Sequence, residues 1–213
     1  LVNFEKNYRN MLQELSEQEE LRREKLAELK KLGIDPYPAE EFKINVTAHD
    51  IKENYERDKL NYKDISLAGR IMSVRDMGKA AFAVIQDSTD RIQIYVRRDD
   101  ICPNEDDKVL YDVVWKKLID LGDIIGIEGD VFTTKTGETS IHVSSLTLLS
   151  KALRPLPIVK ETKDEEGNVT IHDAFTDPEL RYRQRYVDLV VNSHVRDTFI
   201  KRTKLVKTIR DYL

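Results

Sequence analysis

One stretch, from Ile65 to Leu149, restricts the possible folds more than any other feature, because its apolar residues recur with period two in five separate segments. Ile65, Leu67, Gly69 and Ile71 alternate with Ala68, Arg70 and Met72, as a strand with two unlike faces requires. Met77-Gly78-Lys79 supplies a turn, Ala81 to Gln86 a second strand, Asp87 to Asp90 another turn, and Arg91 to Val96 a third strand. Lys108 to Leu121 then reads as a helix, with Leu110, Val114, Leu118 and Leu121 on one side and Gly122 as its stop. Two further strands, Ile124 to Thr133 and Thr139 to Leu149, flank a tight Lys135-Thr136-Gly137 turn. In the last strand the apolar phase slips between Val143 and Leu146, which predicts a bulge near Ser144-Ser145.

Strand, strand, strand, helix, strand, strand is the order of the OB-fold, a five-stranded Greek-key barrel that binds its ligands on strands two and three with the flanking loops. On pattern alone a different small barrel or an open meander satisfies the same period.

Strand parity carries the argument from fold to chemistry. If Gln86 faces Arg91 across the turn, Val84 faces Gln93 and Phe82 faces Tyr95. One face is then Ala81, Ala83, Ile85, Ile92, Ile94 and Val96, small or apolar throughout and therefore the core. The other gathers Phe82, Val84, Gln86, Arg91, Gln93 and Tyr95. An aromatic ring on the polar side of a barrel is a candidate platform for an unpaired base, and a neighbouring amide, which both donates and accepts, can read a base edge. The alternative is that Phe82 packs beneath a loop or an added helix.

The barrel segment is flanked by helical elements. Ser16 and Glu19 form a capping box for a helix from about Glu17 to Leu32, striped by Leu21, Leu26, Leu29 and Leu32 and closed by Gly33. Its other face carries Arg22, Arg23, Lys25, Lys30 and Lys31, either a solvated face or a phosphate-contacting one. Thr47 and Asp50 cap a second, short helix. Beyond Lys151 the Arg154-Pro155-Leu156-Pro157 stretch and the polar Lys160 to Asn168 run read as a linker. Asp177-Pro178 opens another helix, and a last one from about Val195 carries Val195, Phe199, Val206, Ile209 and Leu213 to the final residue. The expected organisation is thus a helical extension over 1–64, the barrel over 65–150, a linker over 151–176 and a helical segment over 177–213 that reads as the start of a further domain.

Composition narrows the function classes. The formal charge of -4, and ten Lys or Arg against fourteen Asp or Glu between Ile65 and Ser150, speak against counterion release as the source of any nucleic-acid affinity. Stacking and hydrogen bonds must supply it. Arg75, Lys79, Arg91 and Lys135 are the cations placed to touch a phosphate backbone. The four histidines are scattered with no metal spacing to the single cysteine, Cys102, and no phosphate loop or nucleophile motif occurs. No catalytic residues and no cofactor are therefore expected in this chain. No apolar run is long enough to span a membrane, and one cysteine fits a reducing, cytoplasmic setting.

Several segments resemble class II lysyl-tRNA synthetases: Arg22-Arg23-Glu24-Lys25-Leu26, Met77-Gly78-Lys79-Ala80-Ala81-Phe82, Arg91-Ile92-Gln93-Ile94-Tyr95, Lys135-Thr136-Gly137-Glu138, Lys151 to Pro157, and Arg181 to Leu189. The likeness runs in order from about Ser16 to Leu213, and Leu1 to Asn10 falls outside it. It implies an OB barrel that grips the anticodon loop of a lysine tRNA, with Phe82 stacking on the middle uridine, Gln93 hydrogen-bonding it, Arg75 beside the same base, and Glu138 contacting the anticodon. It further implies that 177–213 enters a catalytic domain through which the family dimerises. ATP and Mg2+ would serve lysine activation there, on residues beyond Leu213. Aspartyl- and asparaginyl-tRNA synthetases share the barrel and the middle uridine, but the Lys135 to Gly137 turn and the Lys151 to Pro157 segment favour lysine. A freestanding tRNA-binding OB module and a protein-interaction OB domain are the rivals from other classes.

Overall fold

The computed structural model describes residues 15–104, 108–157, 160–163, 169–172 and 175–213. The chain divides into two compact units, Leu1–Pro155 and Leu156–Leu213.

The first unit is built on a closed barrel of β1 (Ile65–Asp76), β2 (Ala80–Gln86), β3 (Arg91–Arg97), β4 (Ile124–Thr133) and β5 (Thr139–Ser150). Round the barrel the order is β1-β2-β3-β5-β4, with β4 returning to β1. All neighbours are antiparallel except β3 and β5, which run parallel. This is the OB arrangement, and closure leaves no strand edge unpaired. The β2–β3 register is the expected one, with Phe82 opposite Tyr95, Val84 opposite Gln93 and Gln86 opposite Arg91. Every residue of the predicted core face is buried, joined by Ile71, Ile125, Ile127, Ile141 and Val143 from the other strands.

The bulge in β5 falls on Ser144, which is skipped in the ladder while Ser145 pairs with Glu128 and Val143 with Gly129. A side chain on Gly129 would run into the His142 carbonyl, so glycine lets β4 and β5 close up where the ladder bends. Two irregularities were not visible in the sequence: an extra residue at Met72 in β1 and a second register shift at the end of the β4–β5 ladder. The extra residue is apolar beside another apolar residue in both places, Met72 after Ile71 and Leu149 after Leu148, so it does not stand out in the sequence.

The helix between β3 and β4 spans Leu110–Leu118 and is a π-helix, here labelled α4; a single α-helical turn, α3 (Arg98–Ile101), precedes it. Tyr111, Val114, Trp115 and Leu118 are its buried residues. α1 (Glu17–Lys31) carries the expected capping box at Ser16 and Glu19, and α2 (Ala48–Asn54) is capped by Thr47.

The expected leucine stripe of α1 is corrected. Only Leu29 is fully buried, whereas Leu21 and Leu32 are about half exposed. The helix rests on the barrel through Leu29 and through Arg22, whose guanidinium donates to the Ala152 carbonyl at 2.9 Å and the Leu121 carbonyl at 3.0 Å. Beside it Lys25 reaches Asp120 at 2.6 Å. The buried Lys151 ammonium bridges Asp120 at 2.6 Å and Asp123 at 2.8 Å, and Asp123 also accepts from the Ala152 and Asp120 backbones. Tyr37 closes the group by donating to the Lys151 carbonyl. This ionic joint clasps α1, the end of α4 and the segment leaving the barrel into one body.

In the second unit, part of the stretch read as linker forms a hairpin of β6 (Lys160–Lys163) and β7 (Val169–His172). Lys160-Glu161-Thr162-Lys163 holds no apolar residue, so no period announced the strand. The tip of the Lys160 to Asn168 run, and Leu1 to Asn10, lie outside the described residues. Helices α5 (Pro178–Arg183), α6 (Arg185–Val191) and α7 (Ser193–Tyr212) follow, and Asp177 caps α5 at the Leu180 amide. The fully buried Asp188 ties them together by accepting from Arg181, Arg185 and Asn192, and despite its burial these bonds hold its carboxyl below the usual range. No helix among the described residues is long and apolar enough to cross a membrane.

Candidate nucleic-acid interface

The outer face of β2 and β3 opens into a groove of about 750 Å³. Its floor is Phe82, Val84, Gln93 and Tyr95; one wall is Ser73, Arg75 and Met77 at the end of β1, and the other is Phe132 with Thr134, Lys135, Thr136 and Glu138 from the β4–β5 turn. Alternation explains the floor, since each residue is flanked by two that point into the barrel. The turn is shaped by Gly137, whose φ of 86° favours glycine, and by the Thr134 hydroxyl accepting from the Glu138 amide.

Four sequence-derived candidates, Arg75, Phe82, Gln93 and Glu138, line this one groove together with Lys135. Arg75 lies directly across from Phe82 in the β1–β2 ladder. Phe82 is half-buried and leans on Tyr95, with ring centroids 4.9 Å apart and planes tilted by 44°. It lines the groove beside Val84, Gln93 and Tyr95.

Gln93 is held more tightly than expected. Its amide nitrogen donates to the Ser140 hydroxyl at 2.9 Å, and Ser140 is completely buried. The amide plane is thus fixed, and the carbonyl oxygen is placed to accept a hydrogen bond from a ligand.

The remaining cations stand apart. Lys79 and Arg91 are exposed but outside the groove lining, and Arg91 donates to the Gln86 amide oxygen at 2.7 Å. Arg23 donates to the Glu19 carbonyl on its own helix. Arg22, a candidate backbone contact, is corrected: at 8% exposure with both terminal nitrogens engaged by carbonyls, it belongs to the ionic joint and cannot meet a phosphate.

Several lining residues were missed. Phe132 sits one place from the end of β4, and only the closure of β5 beside β3 brings it over Tyr95, 6.2 Å between centroids. Its parity opposite buried Val131 was the available signal. The wall carrying Met77 is anchored from beneath, where the Tyr111 hydroxyl of α4 donates to the Gly78 carbonyl at 3.2 Å; burial pushes that hydroxyl up to about 12, so it remains a donor.

The comparisons with known proteins agree with this geometry. Residues 65–149, the whole barrel, match the tRNA anti-codon family of OB-fold nucleic acid binding domains. The barrel has the OB architecture of that family. Over a longer range the chain is similar to lysine–tRNA ligases. It is 56% identical to that of Porphyromonas gingivalis strain W83 over 200 residues, which is 93% of this chain and 34% of that protein. With the lysine–tRNA ligase of Christiangramia forsetii it shares 52% over 204 residues, 96% of this chain and 34% of that protein. With that of Azobacteroides pseudotrichonymphae it shares 54% over 198 residues, 93% and 38%. The chain therefore spans about a third of the length of the curated relatives it matches, and the likeness covers both of its compact units.

Proposed function

We propose that this chain is the anticodon-recognising part of a lysine–tRNA ligase, seating the middle uridine of a lysine anticodon on Phe82 and reading its edge with Gln93. The observation that carries the proposal is the pairing of a half-buried ring and an oriented amide in one groove. Gln93 presents its carbonyl oxygen because its nitrogen is committed to Ser140. Uridine offers a donor at N3, whereas cytidine places a lone pair there and would face the oxygen with no proton between them. Arg75 and Lys135 on opposite walls suit the phosphates on either side of the seated nucleotide, and Glu138 suits a donor edge of a flanking base.

In this reading the ligation of lysine, its use of ATP and Mg2+, dimerisation and the cytoplasmic setting belong to the larger enzyme.

The test is base discrimination. Wild type should prefer a uridine-centred anticodon stem-loop to its cytidine-centred counterpart by about tenfold or more, the loss expected for one unmade hydrogen bond in a desolvated site. Gln93→Ala should bind both loops with nearly equal affinity. A variant that keeps the full uridine preference would remove Gln93 from the reading.

A further inference from the structure

Four rings, one from each of four successive strands round the barrel, lie side by side on its outer face. Phe82 of β2 faces Tyr95 of β3, and Tyr95 faces His142 of β5 across the parallel ladder. The centroids of Tyr95 and His142 are 5.5 Å apart, and Phe132 of β4 completes the group at 6.2 Å from Tyr95 and 6.0 Å from His142. A single base on Phe82 needs one of these rings. The others form a triangle that continues the groove sideways, with Phe132 half-buried and His142 44% exposed.

We infer that Tyr95, Phe132 and His142 make a second stacking position, taken by the unpaired base next to the one seated on Phe82. The inference rests on the reading of Phe82 given above. Three observations select a base as occupant. The triangle is continuous with the groove, since Tyr95 and Phe132 line both. Its outer end carries two carboxylates against one arginine: Asp100 of α3 holds the His142 Nε2 at 2.7 Å and has Arg97 at 3.9 Å, and Asp130 is the cross-strand neighbour of His142. Those carboxylates repel a phosphate but not the flat, neutral face of a base. Finally, the Asp100 contact holds the imidazole in place, so little side-chain freedom is lost when a base settles on it.

The test uses the uridine-centred stem-loop and two derivatives in which the nucleotide before or after the middle uridine is abasic. Phe132→Leu keeps most of the buried volume, and His142→Gln keeps a hydrogen bond to Asp100 while removing the ring. Each should weaken the intact loop, Phe132→Leu by about 5- to 150-fold as for a lost base–aromatic stack. Against one of the two abasic loops the same variants should bind as wild type does, because the partner of the ring is already gone. Equal weakening on all three loops, or none on the intact loop while Phe82→Ala still weakens it, would overturn the second position and leave the first standing. If Phe82→Ala binds every loop like wild type, both fall.

Discussion

Asp123→Ala is expected to lower the unfolding free energy of this chain by about 3 kcal/mol, at the lower end of the 3–5 kcal/mol seen when one partner of a buried ion pair is removed. The Asp123 side chain is completely inaccessible and satisfies three donors: the Lys151 ammonium and the backbone amides of Ala152 and Asp120. Without it, the ammonium of a lysine only 2% exposed keeps Asp120 alone, and Asp120 is shared with Lys25. That remaining acceptor is the reason the loss does not reach the upper bound. Asp123→Asn retains the shape and an acceptor for the Ala152 amide, so it should cost less than the alanine. Urea unfolding followed by the single tryptophan, Trp115, which is buried beneath the barrel, reads the change directly. A shift below 1 kcal/mol would mean that Lys151 finds water or another acceptor when the pair is cut.

The same joint sets an acid limit on stability. Burial alone would raise the Asp120 carboxyl, but hydrogen bonds and charge from Lys151 and Lys25 together outweigh it and hold the group below its usual value. A carboxylate depressed in the folded state contributes stability that is present above its unfolded pKa, about 3.9, and is lost as pH falls through the folded value. Unfolding free energy should therefore drop steeply below about pH 4, and Asp120→Asn should flatten that drop while lowering stability at neutral pH. An unchanged acid slope in the variant would assign the drop to other carboxylates.

Phe82→Ala should weaken a uridine-centred anticodon stem-loop by about 1–3 kcal/mol with little change in stability. The two effects separate because the ring is half-buried on the outer face, where it touches Tyr95, while the core beneath is made by Ala81 and Ala83. Truncation removes the stacking surface and leaves the barrel closed. In this interface the loss is not diluted by counterion release, since the segment is net acidic and only Arg75 and Lys135 line the groove as cations. The binding free energy should accordingly vary little with salt, and Phe82→Ala should leave the salt slope unchanged. Equal affinities for wild type and variant would sink the stacking reading and favour a barrel whose outer face meets protein.

Individual residues show how far a sequence alone carries such an argument. Phe82 and Gln93 could be placed on one face because strand parity is local: a residue two positions along must return to the same side, and the four-residue turn sets which pairs face each other. The core followed from the same rule. Arg22 could not be placed, because it sits on a helix with other cations and nothing local distinguishes the one that reaches Ala152 and Leu121 from those left in water. The β6–β7 hairpin escaped for the opposite reason, its first strand having no apolar residue to mark a face.

The period of the strands, the helix caps and the polarity of each face were thus determined by the sequence, since each depends on residues within a few positions of one another. Closure of the barrel was decided only in three dimensions. Laying β5 parallel to β3 is what carries Glu138 and Lys135 to the groove, sets Ser140 behind Gln93 and gathers Phe132 and His142 round Tyr95. Gln93 and Ser140, like Tyr95 and His142, are 47 positions apart. These contacts arise because burying the inward faces of five strands at once leaves one arrangement for the outward ones, and no window of sequence contains that condition.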